Sequence, residues 1–414
     1  MLSKIRSLLE ITDFTVEEID ELVALAMDII ANPKKYADVC KSKKLATLFY
    51  EPSTRTRLSF TAAMMELGGN VLGFSDAAAS SVSKGEVVAD TVRVVENFAD
   101  IIAMRHNKEG APWVASQYAS IPIINAGDGG HCHPTQTLAD MLTIYRHKGR
   151  FSDLTVGFCG DLLYGRTVHS LTKAMGRYRG IRFVFVSPDE LRIPDYLRRD
   201  IDKKGYQYYE TDNLEEAMPR LDILYMTRVQ KERFDSEEQY DRLKDSFILD
   251  MPKLRHAKDD IIILHPLPRV NEIAYEVDAH PGALYFEQVR NGKFIRMALI
   301  YTLLRWAEEG RRPTSSANLV EASPCGNPRC ISTVEKVPAI YTVHADGTRH
   351  CIYCDALEAI FCKCLYDMEK SITFAANFVI NEVLNKYVSV SVLWQYFGVL
   401  YICEKIAERA INKK

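Results

Sequence analysis

Long uninterrupted apolar runs are missing from this 414-residue chain. The most apolar stretch, residues 387–403, is broken by Ser389, Ser391 and Gln395. A stretch of that length lies at the lower limit of a membrane span, so a helix packed in an oligomer contact is the expectation and a membrane partner is disfavoured. An excess of one charge is also missing. Lys and Arg total 52 against 55 Asp and Glu, a net charge of −3, which excludes a nucleic-acid footprint and leaves small molecules and proteins as ligands. Met1-Leu2-Ser3-Lys4-Ile5-Arg6 is not followed by an apolar core and cleavage site, so no signal peptide is read and a cytoplasmic location is expected. In such a reducing compartment the ten cysteines read as buried thiols or metal ligands, not disulfides. No solenoid-period repeat and no low-complexity block occurs.

What is present is the composition of an ordinary globular protein, 47% apolar and 26% charged, long enough for two or three domains. Between residues 44 and 310 short apolar runs alternate with amphipathic stretches. Strands are predicted at 45–50, 101–105, 121–125, 154–159, 182–186, 222–227 and 261–265. Helical faces are formed by Val88, Val92, Val95 and Ala99, and by Leu138, Met141, Leu142 and Tyr145. This alternation predicts an α/β fold of two doubly wound parallel-sheet sub-domains, 1–134 and 135–292. A closing helix is predicted from Lys293 to Glu309 that completes the first. Residues 310–323, containing Gly310-Arg311-Arg312-Pro313, read as a linker. A small cysteine-bearing module at 324–356 and a helical tail at 357–414 of unknown role follow.

The sharpest motif is Ser53-Thr54-Arg55-Thr56-Arg57, between a predicted strand and the helical run Leu58 to Leu67. Hydroxyls and a guanidinium at a helix N-terminus suit an anion, because free N–H groups and the positive end of the helix dipole point there. Arg55 adds the bidentate geometry that phosphate oxygens prefer. The blander account is Ser53 as a helix cap beside solvated arginines. Ser80 and Lys84 lie in a small-residue loop, a poor place for a structural lysine. Arg105 ends an apolar strand, where open α/β sheets gather ligands. His133 and Gln136 follow a glycine-rich turn and, three residues apart, face the same way.

Ser-Thr-Arg-Thr-Arg, Met104-Arg105-His106, His133-Pro134-Thr135-Gln136 and His265-Pro266-Leu267-Pro268-Arg269, in this order, resemble the carbamoyltransferase family over about residues 1–310. The resemblance implies that Ser53, Thr54, Arg55, Thr56, Ser80, Lys84 and Arg105 bind carbamoyl phosphate. It implies that Thr56, Arg105, His133 and Gln136 hold the carbamoyl group, that the carbonyl of Leu267 accepts from its NH2, and that a cis bond precedes Pro268. Arg55, Thr56, Lys84, Arg105 and His133 would be the catalytic set. The segments around Arg166 and around Arg228-Val229-Gln230 are similar to the aspartate branch, which implies a dicarboxylate held by Lys84, Arg166, Arg228 and Gln230. The implied reaction is carbamoyl transfer to L-aspartate in de novo pyrimidine biosynthesis, without a catalytic cofactor, in a homotrimer or an assembly of trimers with active sites shared between subunits. An ornithine enzyme is the alternative in the same class, but that branch carries a cysteine where His-Pro-Leu-Pro stands here. A non-catalytic assembly or regulatory protein on the same scaffold would have eroded the set, which is complete from Ser53 to Leu267.

Cys325-x4-Cys330-x20-Cys351-x2-Cys354 has the spacing of a four-thiolate structural zinc site, one ion per chain. The segment from Cys325 resembles the zinc domain of regulatory chains from bacterial members of this family, which implies docking on the catalytic part. Cys362 and Cys364 leave the choice of ligands open.

Overall fold

Strands such as Leu45–Phe49 and Ile123–Ile124 carry apolar side chains on both faces, so both faces must be covered. The computed structural model, which describes residues 5–76, 81–229, 237–243, 247–313, 319–322, 324–344 and 347–358, covers them with helices. The chain divides into two units, Met1–Glu358 and Ala359–Lys414. The second unit, with Cys362 and Cys364, lies outside the described residues, as do Ser80 and Gln230.

The first sheet holds β1 (Lys44–Phe49), β2 (Asn70–Phe74), β3 (Ile101–His106) and β4 (Ile123–Asp128) in the order β2-β1-β3-β4, all parallel. The second holds β5 (Thr155–Cys159), β6 (Arg182–Val186), β7 (Gln207–Thr211), β8 (Ile223–Met226) and β9 (Ile262–Leu264) in the order β7-β6-β5-β8-β9, again parallel. Two doubly wound sub-domains are therefore present. Strand order reverses between β1 and β3 and between β5 and β8, which opens a crevice at the carboxyl ends of each pair. β2 and β7 were absent from the strands expected from sequence. Both are edge strands with half-exposed faces, so their apolar signal is diluted.

The helix Tyr285–Glu308 spans the seam between the sub-domains. It starts at Tyr285, not at the expected Lys293. The reading failed because Gln288, Asn291 and Gly292 break the apolar periodicity, yet all three are buried. Asn291 donates to Thr143 Oγ1 at 3.0 Å, so a polar network replaces apolar packing in the first two turns. Further along, Ile295, Ala298, Leu299, Ile300 and Leu303 are fully buried. Each large one contributes about 1.5–3 kcal/mol of burial energy. They fix this helix against Thr54–Glu66 and Pro134–Lys148, the two helices that open at the phosphate motif and at His133.

The cysteine module forms a third, antiparallel sheet of β10 (Leu319–Glu321), β11 (Ile340–Val343) and β12 (Arg349–Cys351). β10 falls inside the span read as linker, because three residues are too few to show alternation. The module shares one apolar cluster with the outer face of the first sheet, where Cys330, Ile331, Tyr341 and Tyr353 join Leu48, Val92, Ile102 and Val114. Glu109 is the polar anchor. Its N–H donates to Arg329 O, its carbonyl accepts from Ile331 N, and its carboxylate accepts from Asn327 Nδ2 and pairs with Arg329. Gly110, at φ +82°, lets Tyr353 approach so closely that a Cβ there would sit 2.3 Å from the tyrosine Cβ. Among the described residues, no helix is long and apolar enough to cross a membrane.

Candidate active site

The residues singled out from sequence gather at the carboxyl ends of parallel strands. Arg55 follows β1, Arg105 ends β3, His133 follows β4, Arg166 follows β5, Arg228 follows β8 and Leu267 follows β9. Ser53, Arg55, Thr56, Arg105, His133, Gln136, Arg166, Arg228 and Leu267 line one cleft of about 260 Å³. Thr54 and Lys84 are not among its lining residues; both are exposed, Thr54 as the first residue of its helix and Lys84 at the end of the turn Ser81–Lys84.

Ser53 occupies the N-cap position of Thr54–Glu66, but its side chain makes no capping hydrogen bond. The blander account of that serine therefore fails, and its hydroxyl is left for the cleft. Arg105 is mostly buried. Its Nη2 lies 3.2 Å from Glu51 Oε2, its Nη1 donates to Ala126 O at 3.4 Å, and its buried Nε meets no hydrogen-bond partner among the described residues. Arg166 opens the helix Arg166–Met175 and donates to Gly129 O. Gly127, at φ +117°, makes room for these groups: a Cβ there would lie 2.9 Å from Arg105 Nη1, 3.4 Å from His133 Cδ2 and 3.6 Å from Arg166 Nη2.

Crowding of positive charge marks the electrostatics. Burial, then Arg166, holds Arg105 down to about 10, so it remains charged at neutral pH. Burial and Arg228 lower Arg55 likewise. His133 is pushed well below the usual imidazole range by burial, then by Arg166, Arg105 and Arg296. It is therefore a neutral imidazole, able to donate one N–H without adding charge.

Sequence reasoning missed the layer behind the cleft. Asp140 Oδ1 accepts from Gln136 Nε2 at 2.8 Å and from Gln288 Nε2 at 2.5 Å. Gln288 Oε1 accepts from His265 N at 3.0 Å. His265 Nδ1 accepts from Leu267 N at 2.7 Å, and its Nε2 meets Glu272 at 2.7 Å. A continuous relay thus joins Gln136 to the backbone of Leu267, the two groups expected to hold the carbamoyl amide. Leu267 has φ +55° and is followed by a cis bond to Pro268. Arg296 donates to Ser59 Oγ at 3.0 Å and Thr135 Oγ1 at 3.3 Å, beneath both helix N-termini. For Asp140, Gln288 and Arg296 the sequence signal was polar side chains interrupting apolar helical faces, whereas His265 stood in a quoted motif without a role.

The four cysteines are buried together, with ligand atoms all within 4.8 Å of one another. Sγ–Sγ separations are 3.5 Å for Cys325–Cys354 and 3.8 Å for Cys330–Cys351. A tetrahedral ion with Zn–S bonds of about 2.3 Å requires edges of about 3.8 Å, so the donor set fits zinc.

Residues 6–146 match the carbamoyl-P binding domain, and residues 152–303 the Asp/Orn binding domain, of aspartate/ornithine carbamoyltransferases. The chain belongs to that family. Within it, the chain is similar to aspartate carbamoyltransferase catalytic subunits. It is 64% identical over 293 residues to that of Lachnoclostridium phytofermentans, covering 70% of this chain and 95% of the relative. It is 61% identical over 300 residues to that of Clostridium acetobutylicum, covering 72% and 98%. Among solved structures, the catalytic subunit of M. jannaschii aspartate transcarbamoylase superposes with a TM-score of 0.68 at 45% identity, covering 73% of this chain and 98% of that one. The Trypanosoma cruzi enzyme in complex with N-(phosphonacetyl)-L-aspartic acid gives 0.68 at 39% identity, covering 72% and 96%. The cysteine module lies beyond the matched domains.

The relay behind the cleft has a pH signature. Burial raises the Asp140 carboxyl to about 7 against the opposing hydrogen bonds from Gln136 and Gln288. The folded chain then holds this proton where the unfolded chain, near 3.8, has released it. Stability contributed by this group is therefore present below about pH 4 and falls as pH rises toward 7, by at most about 1.4 kcal/mol per unit. Asp140→Asn is expected to remove that slope in urea unfolding measured from pH 4 to 7. A wild-type-minus-variant difference that stays flat across the window would show that Asp140 is ionised in the fold.

Proposed function

We propose that this chain transfers the carbamoyl group of carbamoyl phosphate to the amine of L-aspartate, giving N-carbamoyl-L-aspartate and phosphate. The observation that carries this reading is the convergence of Arg55, Arg105, Arg166 and Arg228 on one cleft around a neutral His133. A phosphate and a dicarboxylate together supply the negative charge such a cleft demands, whereas ornithine brings an amino-bearing side chain of the wrong sign.

In the proposed site Ser53, Thr54, Arg55, Thr56 and Arg105 take the phosphate, aided by the helix N-terminus of Thr54–Glu66. Thr56, Arg105 and His133 donate to the carbamoyl oxygen, while Gln136 and the Leu267 carbonyl hold its NH2. Arg166 and Arg228, with Gln230, take the two carboxylates of aspartate. The neutral aspartate amine attacks the carbonyl carbon and negative charge builds on its oxygen, which these donors would stabilise. The C–O bond to phosphate then breaks. The phosphate leaves with the bonding electron pair and takes the amine proton, so no protein nucleophile is needed. Acceleration comes from positioning two substrates in one charged cleft.

Two further assignments belong to this proposal. Zinc held by Cys325, Cys330, Cys351 and Cys354 supplies structure to a module with little core of its own. Lys84, and Ser80 with it, acts in the site of a neighbouring subunit of a trimer, which accounts for the absence of Lys84 from the cleft lining of its own chain. The sub-domains 1–134 and 135–292 would bind carbamoyl phosphate and aspartate respectively.

Substrate choice is tested by offering aspartate and ornithine in parallel and assaying both products; citrulline formation in place of carbamoyl-aspartate would overturn the reading. Arg228→Ala should raise the aspartate KM and lower kcat by about 10²-fold, the scale of losing a charge-matched contact, with phosphate inhibition nearly normal. Equal loss of phosphate binding would make Arg228 structural.

Metal analysis of the native protein should find one zinc per chain, and Cys351→Ser should lose it with a drop in melting temperature. Full thermal stability after complete metal removal would refute a structural ion.

For the shared site, Lys84→Ala and Arg105→Ala chains should each be nearly inactive, and dissociating and reassembling them together should restore activity. Verified hybrids as inactive as their parents would place Lys84 in its own chain's site.

A further inference from the structure

The helix Val88–Val95 begins without a cap of its own. Val87 occupies the N-cap position and has no side chain that could accept a hydrogen bond. The nearest local acid, Glu86, is engaged elsewhere, accepting from Thr91 Oγ1 at 2.9 Å. The cap comes instead from the cysteine module. Glu335, 247 residues away in sequence, accepts from Val88 N through both carboxylate oxygens, each at 3.1 Å. A carboxylate at this end of a helix meets free N–H groups and the positive end of the dipole together.

Glu335 is firmly aimed. Its own N–H donates to Ile331 O at 2.9 Å, closing the short helix Ile331–Val334. Ile331 is buried and its N–H donates to Glu109 O at 2.9 Å, which ties this helix to the first sub-domain. On the other side of the contact lies the segment that matters for chemistry. Lys84 ends the turn Ser81–Lys84, Gly85 follows at φ +92° with open space around it, and Val88 is three residues on. A glycine in the left-handed region, where a Cβ would meet no atom of the described residues within 4 Å, imposes little direction on the chain before it. Glu86 and Val87 are tied to Thr91, Val88 is buried, and the Val88 amide is where the cysteine module joins this anchor, through Glu335.

We propose that Glu335 is a positioning residue for carbamoyl transfer: by capping the helix Val88–Val95 it helps set where Lys84 is presented, so the cysteine module acts on catalysis. This rests on the role proposed above for Lys84 in meeting the substrates. The module then adjusts the reaction without touching a substrate.

The test is a double-mutant cycle on the full-length chain, with zinc content and oligomer size measured for every variant. Losing a cap costs about 0.5–2 kcal/mol, so Glu335→Ala should lower kcat/KM by roughly two- to thirtyfold with zinc retained. Glu335→Gln, which keeps one acceptor oxygen in place, should recover most of the loss. In a Lys84→Ala background Glu335→Ala should do nothing further, since the group it positions is gone. If Lys84→Ala alone is as active as the parent, the assigned role of Lys84 fails, and with it the basis of the proposal. If Lys84→Ala is impaired but Glu335→Ala lowers kcat/KM by the same factor in both backgrounds, or has no effect in either, Glu335 does not act through Lys84 and the inference is overturned. Should Glu335→Ala lose zinc or assembly, Glu335→Met, of similar length but without an acceptor oxygen, carries the cycle, with Lys84-dependent loss expected and additive loss or none overturning it.

Discussion

Repulsion among guanidinium groups is the constraint around which the catalytic part is arranged. Arg55, Arg105, Arg166 and Arg228 enter one cleft from four different strand ends, and each lowers the pKa of a neighbour. A flexible surface would let them drift apart. They stay together because each is rooted on a parallel strand or a helix start buried in the core, so the cost of crowding is carried by apolar packing tens of residues away. The same arrangement gives the ligands their leverage. An anion entering the cleft meets donors already desolvated and already opposed to each other, and its binding relieves that opposition. Such a cleft gains stability from phosphate or a dicarboxylate by mass action, in proportion to occupancy.

Behind the arginines, the second requirement is that hydrogen-bonding groups hold still without adding charge. His133 is kept neutral by the field it sits in. Asp140 is raised toward neutrality by burial, accepts from two glutamines, and so links Gln136 to Gln288 without placing a full negative charge beneath the cleft. Arg296, fully inside, donates through Nη1 to Ser59 and through Nη2 to Thr135. A polar network of this kind specifies one arrangement because each broken bond leaves a buried group unmet. It also explains why the helix Tyr285–Glu308 carries glutamine and asparagine where an apolar stripe would have packed more simply.

Those same residues set the limit of what sequence could reveal. Motif residues at strand ends were legible because Arg105 terminates an apolar run and Ser53 precedes a helix. Both patterns are local, and the structure places both residues in the cleft. The seven buried or half-buried strands were legible because their apolar residues are consecutive. β2 and β7 were not, since edge strands show solvent half of each face. Asp140, Gln288 and Arg296 were invisible because a buried polar residue looks like a surface one until its partner, about 150 positions away in the case of Asp140 and Gln288, is brought beside it. Glu335 was missed for the same reason. The cysteines stood out because metal-ligand spacing is a local code.

The cysteine module shows how covalent connection changes what an interface must supply. Its contact with the first sub-domain mixes a modest apolar patch with polar bonds centred on Glu109 and the Glu335 cap, and an Asp355–Lys173 pair at 3.5 Å reaches the second. Half-buried polar contacts of this kind each contribute about 1 kcal/mol. Between separate chains they would have to offset the entropy of association. On one chain, with helix Tyr285–Glu308 ending ten residues before β10, the module is held at an effective concentration on the order of millimolar before any contact forms. Weak bonds then suffice to dock it, and their energy remains available to orient what they touch. Two of those contacts reach segments leading to the active site: Glu335 at the helix after Lys84, and Asp355 at Lys173, near the far end of the helix that Arg166 opens.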